Sequence, residues 1–305
     1  MTTVFGLGFA RTLIIMDVEQ YYDKHASKYL SVNRGRCSPL PMINRYSLDR
    51  IISTEGISLK NANVLDVGCG DGTFSRYLCS AYPEIHKIDG MDLSKAMIDA
   101  AKQHPQSHPK IHYVQGDISK LSTFTDDHHF EPGSYDVAVV VFVFLYSSTE
   151  HQLAAMIRNI GTMLKPGGCI IGINPSPDDH RLIAASSDDA FDRYGIRMYV
   201  EKRADRLCDG YRYRADVYAF DDSKTEQNPK GNFMHFDGGY FWSRHKINEL
   251  SESFGFEKWK WTDLSVPNQI KRDFGTIDWT QWAASTPDLS FFVRKKVTCK
   301  IMSKL

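Results

Sequence analysis

Between residues 60 and 175, short apolar runs alternate with segments whose apolar residues recur every three or four positions. Runs of that length bounded by turn residues predict buried strands, and the wider spacing predicts amphipathic helices. NVLDVG (63–68), IDGMDLS (88–94), IHYVQGD (111–117) and CIIGINPS (169–176) are the strand segments, and YDVAVVVFVFLY (135–146) is a β-branched run long for one strand. GTFSRYLCSAY (72–82), KAMIDAAKQ (95–103) and 150–163 are helices, the last stopped at LKPGG (164–168). Strands alternating with helices predict an α/β fold with a parallel, doubly wound sheet. Ahead of this unit, residues 17–33 place Tyr22, Ala26, Tyr29 and Leu30 on one helical face. RCSPLPMIN (36–44) has two prolines within three residues and is expected to be a loop, with a helix over about 46–56.

The pattern changes after Pro175. GIRMYVEK (195–202) and YRYRADVYAF (211–220) alternate apolar with polar residues, which predicts antiparallel strands laid on the main domain. DDSKTEQNPKGN (221–232) reads as a polar loop. SRHKINELSESFGF (243–256) is a helix stopped at Gly255, and FEKWKWTDL and LSFFVRKKV are the final strands. All five tryptophans lie after residue 240, and six of the fifteen tyrosines lie between 194 and 240. Aromatic walls of that kind suit a flat or apolar ligand.

Composition narrows the function. Lys+Arg and Asp+Glu are both 37, so the net charge is zero and argues against a nucleic-acid surface. No stretch of about 18 apolar residues suggests a membrane span. The apolar N-terminus MTTVFGLGFARTLII is broken by Arg11 and lacks a basic leading region, so it reads as an extension and not a signal peptide. With no home in the strand–helix pattern, it is expected to pack against a partner subunit in a homo-oligomer. The six cysteines show no metal-ligand spacing and read as free thiols of a cytoplasmic protein. The His128–His129 pair reads as part of a solvated loop, and no metal is expected.

The chemistry concentrates at VLDVGCGDG (64–72). A strand-to-helix turn aims backbone N–H groups and a helix N-terminus at a ligand. Gly68, Gly70 and Gly72 follow a G-x-G-x-G spacing, not the dinucleotide G-x-G-x-x-G. Asp66 and Asp71 make the loop a poor phosphate site, because each phosphate–carboxylate pair at about 4 Å costs ~4 kcal/mol at an effective dielectric near 20. S-adenosylmethionine fits instead: it carries an ammonium and a sulfonium and no phosphate. Asp92 ends the next strand, 20 residues after Gly72, where an acid can accept both ribose hydroxyls. Asp117 can take an adenine amino group, and Ile118 can cover the ring.

The series VLDVGCGDG, IDGMDLS, QGDI, YDVAVVVFVFL and LKPGG resembles the motifs of class I S-adenosylmethionine-dependent methyltransferases, small-molecule branch. The resemblance covers about 60–175 and extends through the last helix and strands toward 297. It implies a seven-strand sheet with its last strand antiparallel, here LSFFVRKKV. It places Asp66, Gly68, Cys69, Gly70, Asp92, Leu93, Asp117, Ile118 and Phe142 around the cofactor, with Met97 on the helix that follows. Cys69 reads as a small residue in a tight turn and not as a nucleophile. EQYYDKHASKYL (19–30) resembles the leading helix that folds over the cofactor in this branch, with Tyr21, Tyr22 and Tyr29 as candidates. The expected organisation is an extension and cofactor-covering helix (1–45), a core (46–178 and 243–305), and a substrate lid (179–242).

Methyl transfer from a sulfonium is an in-line displacement that rests on positioning and on exclusion of water, with a base needed only where the acceptor must lose a proton. Many relatives in the family carry histidines where Leu145 and Tyr146 stand, and their absence here argues against a simple histidine base at those positions; Tyr146, to orient the acceptor, and His151, as a base, are the catalytic candidates. No Asn/Asp-Pro-Pro-Tyr type motif follows the fourth strand. The acceptor is therefore expected to be a small aromatic or apolar molecule of secondary-metabolite type, contacted by Tyr21, Tyr199, Tyr211 and Tyr240. Methylation of oxygen or nitrogen, of carbon in a prenyl side chain, of protein or RNA, and cofactor binding without turnover are the alternatives. The by-product would be S-adenosylhomocysteine.

Overall fold

The computed structural model describes residues 19, 21–25, 40–123, 130–187, 196–200, 206–218, 233–273 and 278–296. The extension 1–16, Ala26, Tyr29, Leu30 and the His128–His129 pair lie outside the described residues. Strands β1 (Asn63–Val67), β2 (Lys87–Asp92), β3 (Ile111–Gln115), β4 (Tyr135–Val141), β5 (Leu164–Pro175), β9 (Lys260–Asp263) and β10 (Asp288–Arg294) form one sheet in the order β3-β2-β1-β4-β5-β10-β9. β1 to β5 are mutually parallel, and β10 runs antiparallel to β5 and β9, as expected of the last strand. β6 (Ile196–Tyr199), β7 (Tyr211–Tyr218) and β8 (Phe233–Phe241) form a second, wholly antiparallel sheet.

Alternation within each strand divides the core between the two faces of the large sheet. Val64, Val137, Val139, Ile171 and Ile173 face one side, with the helices Leu40–Thr54, Thr73–Ala81 and Lys95–Lys102. Leu65, Val67, Ala138, Val140 and Ile170 face the other, covered by Glu150–Met163 and Arg244–Ser253. Ile196, Met198, Tyr213 and Ala215 of the small sheet belong to the first cluster, so the insertion is continuous with the core it covers. Because β4 returns on the far side of β1 from β2, the strand order reverses at β1/β4. Ligands of open α/β sheets bind beyond the carboxyl ends of the strands at such a reversal.

Four local expectations are corrected. The helix over 46–56 begins earlier, at Leu40, and contains Pro41 in its first turn. Proline is tolerated there because the first-turn N–H groups have no helical acceptor. β5 starts at Leu164 and so includes LKPGG, whose Leu164 pairs with Tyr135. The run 135–146 is not one strand: β4 ends at Val141, Phe142 adopts a positive φ of 56°, and Phe144–Tyr146 closes as a 3-10 turn. β8 was not expected; a Cβ at Gly239 would lie 2.4 Å from the Tyr213 ring, so glycine lets the strands approach.

Gly172 makes a testable demand of the same kind. A Cβ there would sit 1.8 Å from the Val140 carbonyl oxygen and 2.6 Å from the Phe291 ring. Gly172→Ala is expected to destabilise the protein by about 3 kcal/mol or more, because neither backbone nor core can yield cheaply. Thermal unfolding of the purified variant checks this.

Candidate functional site

The loop after β1 is held by its backbone. Gly68, Gly70 and Gly72 have φ of 67°, 54° and 77°, the left-handed region that residues with a Cβ avoid. A Cβ at Gly68 would also meet Val143 Cγ2 at 2.5 Å. The Cys69 N–H donates to the Met91 carbonyl at 2.9 Å, and the Gly70 N–H donates to Asp92 Oδ2 at 2.8 Å. The other Asp92 oxygen accepts the Ser94 N–H at 2.9 Å. The loop is therefore fastened to the end of β2, with its glycine backbone against the opening between β1 and β4.

The three acids divide their work. Asp66, buried at the end of β1, accepts the Ser75 hydroxyl at 2.5 Å. Asp71 turns into the loop, where it accepts the Thr73 hydroxyl at 2.6 Å and pairs with Arg76 at 3.7 Å. Burial pushes the Asp66 carboxyl up to about 7 against the Ser75 hydrogen bond, and the Asp92 charge adds to the rise. Burial likewise lifts Asp92 to about 6, opposed by the N–H groups of Ser94 and Gly70. Burial, with these carboxylates near, holds the Cys69 thiol well above its ordinary value, so it is a protonated filler of the turn, as expected.

These groups line a cavity of about 560 Å³. Tyr22, Asp66, Gly68, Cys69, Gly70, Asp92, Leu93, Met97, Asp117, Ile118 and Phe142, the positions expected around a cofactor, all contribute to its wall. Asp117 accepts the Ser119 N–H at 2.8 Å and pairs with Lys120 at 3.2 Å. The helical residues before the core are tied down from below: Asp23 accepts the Ser94 hydroxyl at 2.5 Å and the Ala96 N–H at 3.1 Å. This brings Tyr22 over the cavity, where its hydroxyl bonds to that of Tyr146 and the rings meet edge to face at 5.9 Å.

The opposite wall belongs to the small sheet and was only partly foreseen. Ile196 and Met198 of β6, Tyr213, Ala215 and Val217 of β7, and Phe236 of β8 face the cavity. The sequence does put Tyr213, Ala215 and Val217 on one face, and that parity was the signal for them. The tyrosines chosen as acceptor contacts are elsewhere. Tyr199 is on the outer face, its hydroxyl donating to Asp216 at 2.7 Å and its ring under Arg197 and Arg214. Tyr211 lies two residues short of the cavity, and Tyr240 packs on the second core cluster. Tyr21 donates to the His235 carbonyl and packs on His25, clamping the N-terminal helix to the small sheet.

Two further corrections concern chemistry. His151, a candidate base, is exposed and does not line the cavity; the helix turns each residue by about 100°, and the next one, Gln152, faces inward. None of the five tryptophans lines the cavity either. Trp259 stacks with Trp261 at 5.7 Å, and Trp279 and Trp282 join the first core cluster. Asp288, at the start of β10, was missed. It is 5 % exposed and lines the cavity, because an antiparallel last strand begins at the edge where the parallel strands end. Burial raises its carboxyl to about 7. Among the described residues no group of three or more metal-ligating side chains occurs.

Asp66, Asp92 and Asp288 together set a pH dependence. Each binds its proton more tightly folded than unfolded, so the folded state holds more protons between about pH 4 and 7. Their contribution is most favourable below about pH 4 and is lost as pH rises through their folded values. The ligand-free protein is expected to lose stability between pH 5 and 8. Asp288→Asn should flatten that loss by on the order of a few kcal/mol at most. Urea unfolding at both pH values measures it.

Residues 64–168 match the family described as a methyltransferase domain. A malonyl-acyl-carrier-protein O-methyltransferase of Halalkalibacterium halodurans is 29% identical over 166 residues, 53% of this chain and 55% of that protein. A ubiquinone biosynthesis O-methyltransferase of Coxiella burnetii is 32% identical over 135 residues, 44% of this chain and 51% of that protein. The chain thus spans about half the length of the curated relatives it matches. An S-adenosylmethionine-dependent methyltransferase from Clostridium acetobutylicum has the same fold, with a TM-score of 0.54, 15% identity, and coverage of 90% of this chain and 99% of that one. With its seven-strand order and its glycine loop, the chain has the fold of the class I S-adenosylmethionine-dependent methyltransferases, and residues 64–168 are similar to their methyltransferase domain.

Proposed function

We propose that this protein transfers the methyl group of S-adenosylmethionine to a small, largely apolar acceptor, with oxygen as the acceptor atom. The observation that carries this is one cavity with two unlike walls. Strand-end acids and a glycine backbone form one side, and the apolar face of Ile196, Met198, Ala215 and Val217 forms the other. In this reading Asp92 receives the ribose hydroxyls, Asp117 and Ile118 receive the adenine, and the Gly68–Gly70 backbone faces the methionine part. Asp66, near the loop, favours a cationic ligand over a phosphate. In that transfer the acceptor oxygen would take the methyl carbon as the carbon–sulfur bond breaks with its electron pair left on sulfur; the hydroxyl proton would pass to solvent and S-adenosylhomocysteine would be released.

The residues of this chain serve orientation and exclusion of water. Tyr22 and Tyr146, joined through their hydroxyls, both line the cavity and in this reading orient the acceptor. The names of the two relatives, both O-methyltransferases, support oxygen as the acceptor atom. The division into a core (46–178 and 243–305) with a lid (179–242) is part of the proposal. The small sheet would select the acceptor while the large sheet holds the cofactor. No helix among the described residues is long and apolar enough to cross a membrane.

Calorimetry with S-adenosylhomocysteine tests the cofactor site. Asp92→Ala should weaken binding by ~1.5–3 kcal/mol, the worth of hydrogen bonds to a charged group. Unchanged affinity would refute the ribose role, and NADH bound as tightly would refute the reading. Gly68→Ala should also lose binding, by tenfold or more, while remaining folded. Transfer of a radiolabelled methyl group to a panel of phenols and carboxylic acids tests the activity itself.

A further inference from the structure

Beside the apolar face of the small sheet, the cavity holds two buried polar groups that are not satisfied. Asp288 is 5 % exposed and lines the cavity, and its carboxylate has no hydrogen-bond or ion-pair partner among the described residues. The Tyr213 hydroxyl is buried without a partner, and its residue lines the same cavity. Buried carboxylates are ordinarily paired, and a buried tyrosine hydroxyl ordinarily finds an acceptor. The two groups come from different sheets, β10 and β7, so their facing one cavity, near enough for the Asp288 charge to act on the Tyr213 phenol, follows from no local motif.

The framework keeps both groups unsatisfied. Directly across from Asp288 on β5 stands Pro175, which has no N–H to offer. The Tyr213 ring has room only because β8 carries glycine opposite it; a Cβ at Gly239 would lie 2.4 Å from the ring. Burial keeps the Tyr213 phenol protonated, well above its ordinary value, so it can donate. One group therefore offers a hydrogen and the other accepts one. A hydroxyl is the ligand group that answers both, accepting from Tyr213 and donating to Asp288.

Resting on the methyl-transfer reading above, we propose that Asp288 and Tyr213 form the polar anchor of the acceptor site and bind an uncharged hydroxyl on an otherwise apolar acceptor. The walls about the anchor (Ile196, Met198, Ala215) suit an aromatic or alicyclic body. Selection works by exclusion as much as by attraction, since an analogue without the hydroxyl leaves two buried polar groups unpaired. The two residues act in specificity and positioning and need no proton transfer to do so.

The test uses the whole chain, with and without saturating S-adenosylhomocysteine, and three matched probes: 2-naphthol, 2-methoxynaphthalene and naphthalene. Affinities are read by calorimetry or by ligand-observed NMR. The unmodified protein should bind 2-naphthol at least about tenfold more tightly than either of the others, because each lacks the donor that Asp288 requires. In Asp288→Ala that preference should fall below about threefold, and in Tyr213→Phe it should fall severalfold. Asp288→Asn keeps an acceptor oxygen and should retain part of the preference. Affinity for S-adenosylhomocysteine should be unchanged in all three variants, which separates the anchor from the cofactor site. Absence of a hydroxyl preference in the unmodified protein, including failure of all three probes to bind, overturns the proposal. So does a preference that survives both Asp288→Ala and Tyr213→Phe, or, should the alanine variant not fold, one that survives both Asp288→Asn and Tyr213→Phe unchanged. Loss of S-adenosylhomocysteine binding by the unmodified protein would instead count against the cofactor reading, with the naphthol preference still measurable.

Discussion

Asp92 accepts the Gly70 N–H at 2.8 Å, and the rest of the site is arranged around that bond. It fastens a loop of left-handed glycines to the end of the neighbouring strand, and the loop has no other course available. A side chain at Gly68 would strike Val143, and one at Gly72 would strike the Tyr113 hydroxyl at 2.2 Å. With the loop so fixed, Asp66 and Asp92 face one space, and the start of the helix Thr73–Ala81 points into it. Phe142, itself held at a positive φ of 56° by its N–H bond to the Ile173 carbonyl at 2.8 Å, forms the facing edge. A non-glycine residue in that region costs energy that only well-determined surroundings sustain, and such positions cluster at ligand sites.

Segments outside the large sheet finish the enclosure, each by a specific attachment. Asp23 caps the helix Lys95–Lys102 together with Ser94, whose hydroxyl accepts the Met97 N–H at 3.3 Å. That anchorage carries Tyr22 to Tyr146 and Tyr21 to the His235 carbonyl, so the N-terminal helical residues bridge the two sheets. Trp242, after β8, donates to the Ser147 carbonyl at 3.0 Å and ties the end of the small sheet to the turn after β4. The small sheet is thus attached to the same β4 turn that lines the cavity.

The cavity holds its polar groups at a cost to the fold. Asp66, Asp92 and Asp288 all have carboxyls raised by burial, which means that each is less comfortable charged in the folded state than in water. Asp66 and Asp92 recover part of this from Ser75, Ser94 and Gly70. Asp288 recovers none from the described residues. The equally buried Asp89, by contrast, has the Tyr135 hydroxyl at 2.7 Å and the Lys87 ammonium at 2.7 Å. Among these buried carboxyls, the unpartnered one faces the cavity and the paired Asp89 does not.

What the sequence alone determined is local or periodic. The glycine loop was legible because left-handed backbone demands glycine, and the strand-end acids because strands of a doubly wound sheet end at one edge. The parity that sets Tyr213 with Ala215 and Val217 was legible because strand side chains alternate. Tertiary structure decided which of two faces turns inward, and here it chose the face of Ile196 and Met198 over that of Tyr199. It also decided the end of β4, the strand character of the glycine-bearing β8, and the outward turn of His151. Asp288 could not be read from its neighbours, since an acid before LSFFV looks like any strand boundary. It enters the cavity because β10 inserts antiparallel beside β5, and that pairing joins residues 113 positions apart, Pro175 and Asp288, at the edge where the ligand would lie.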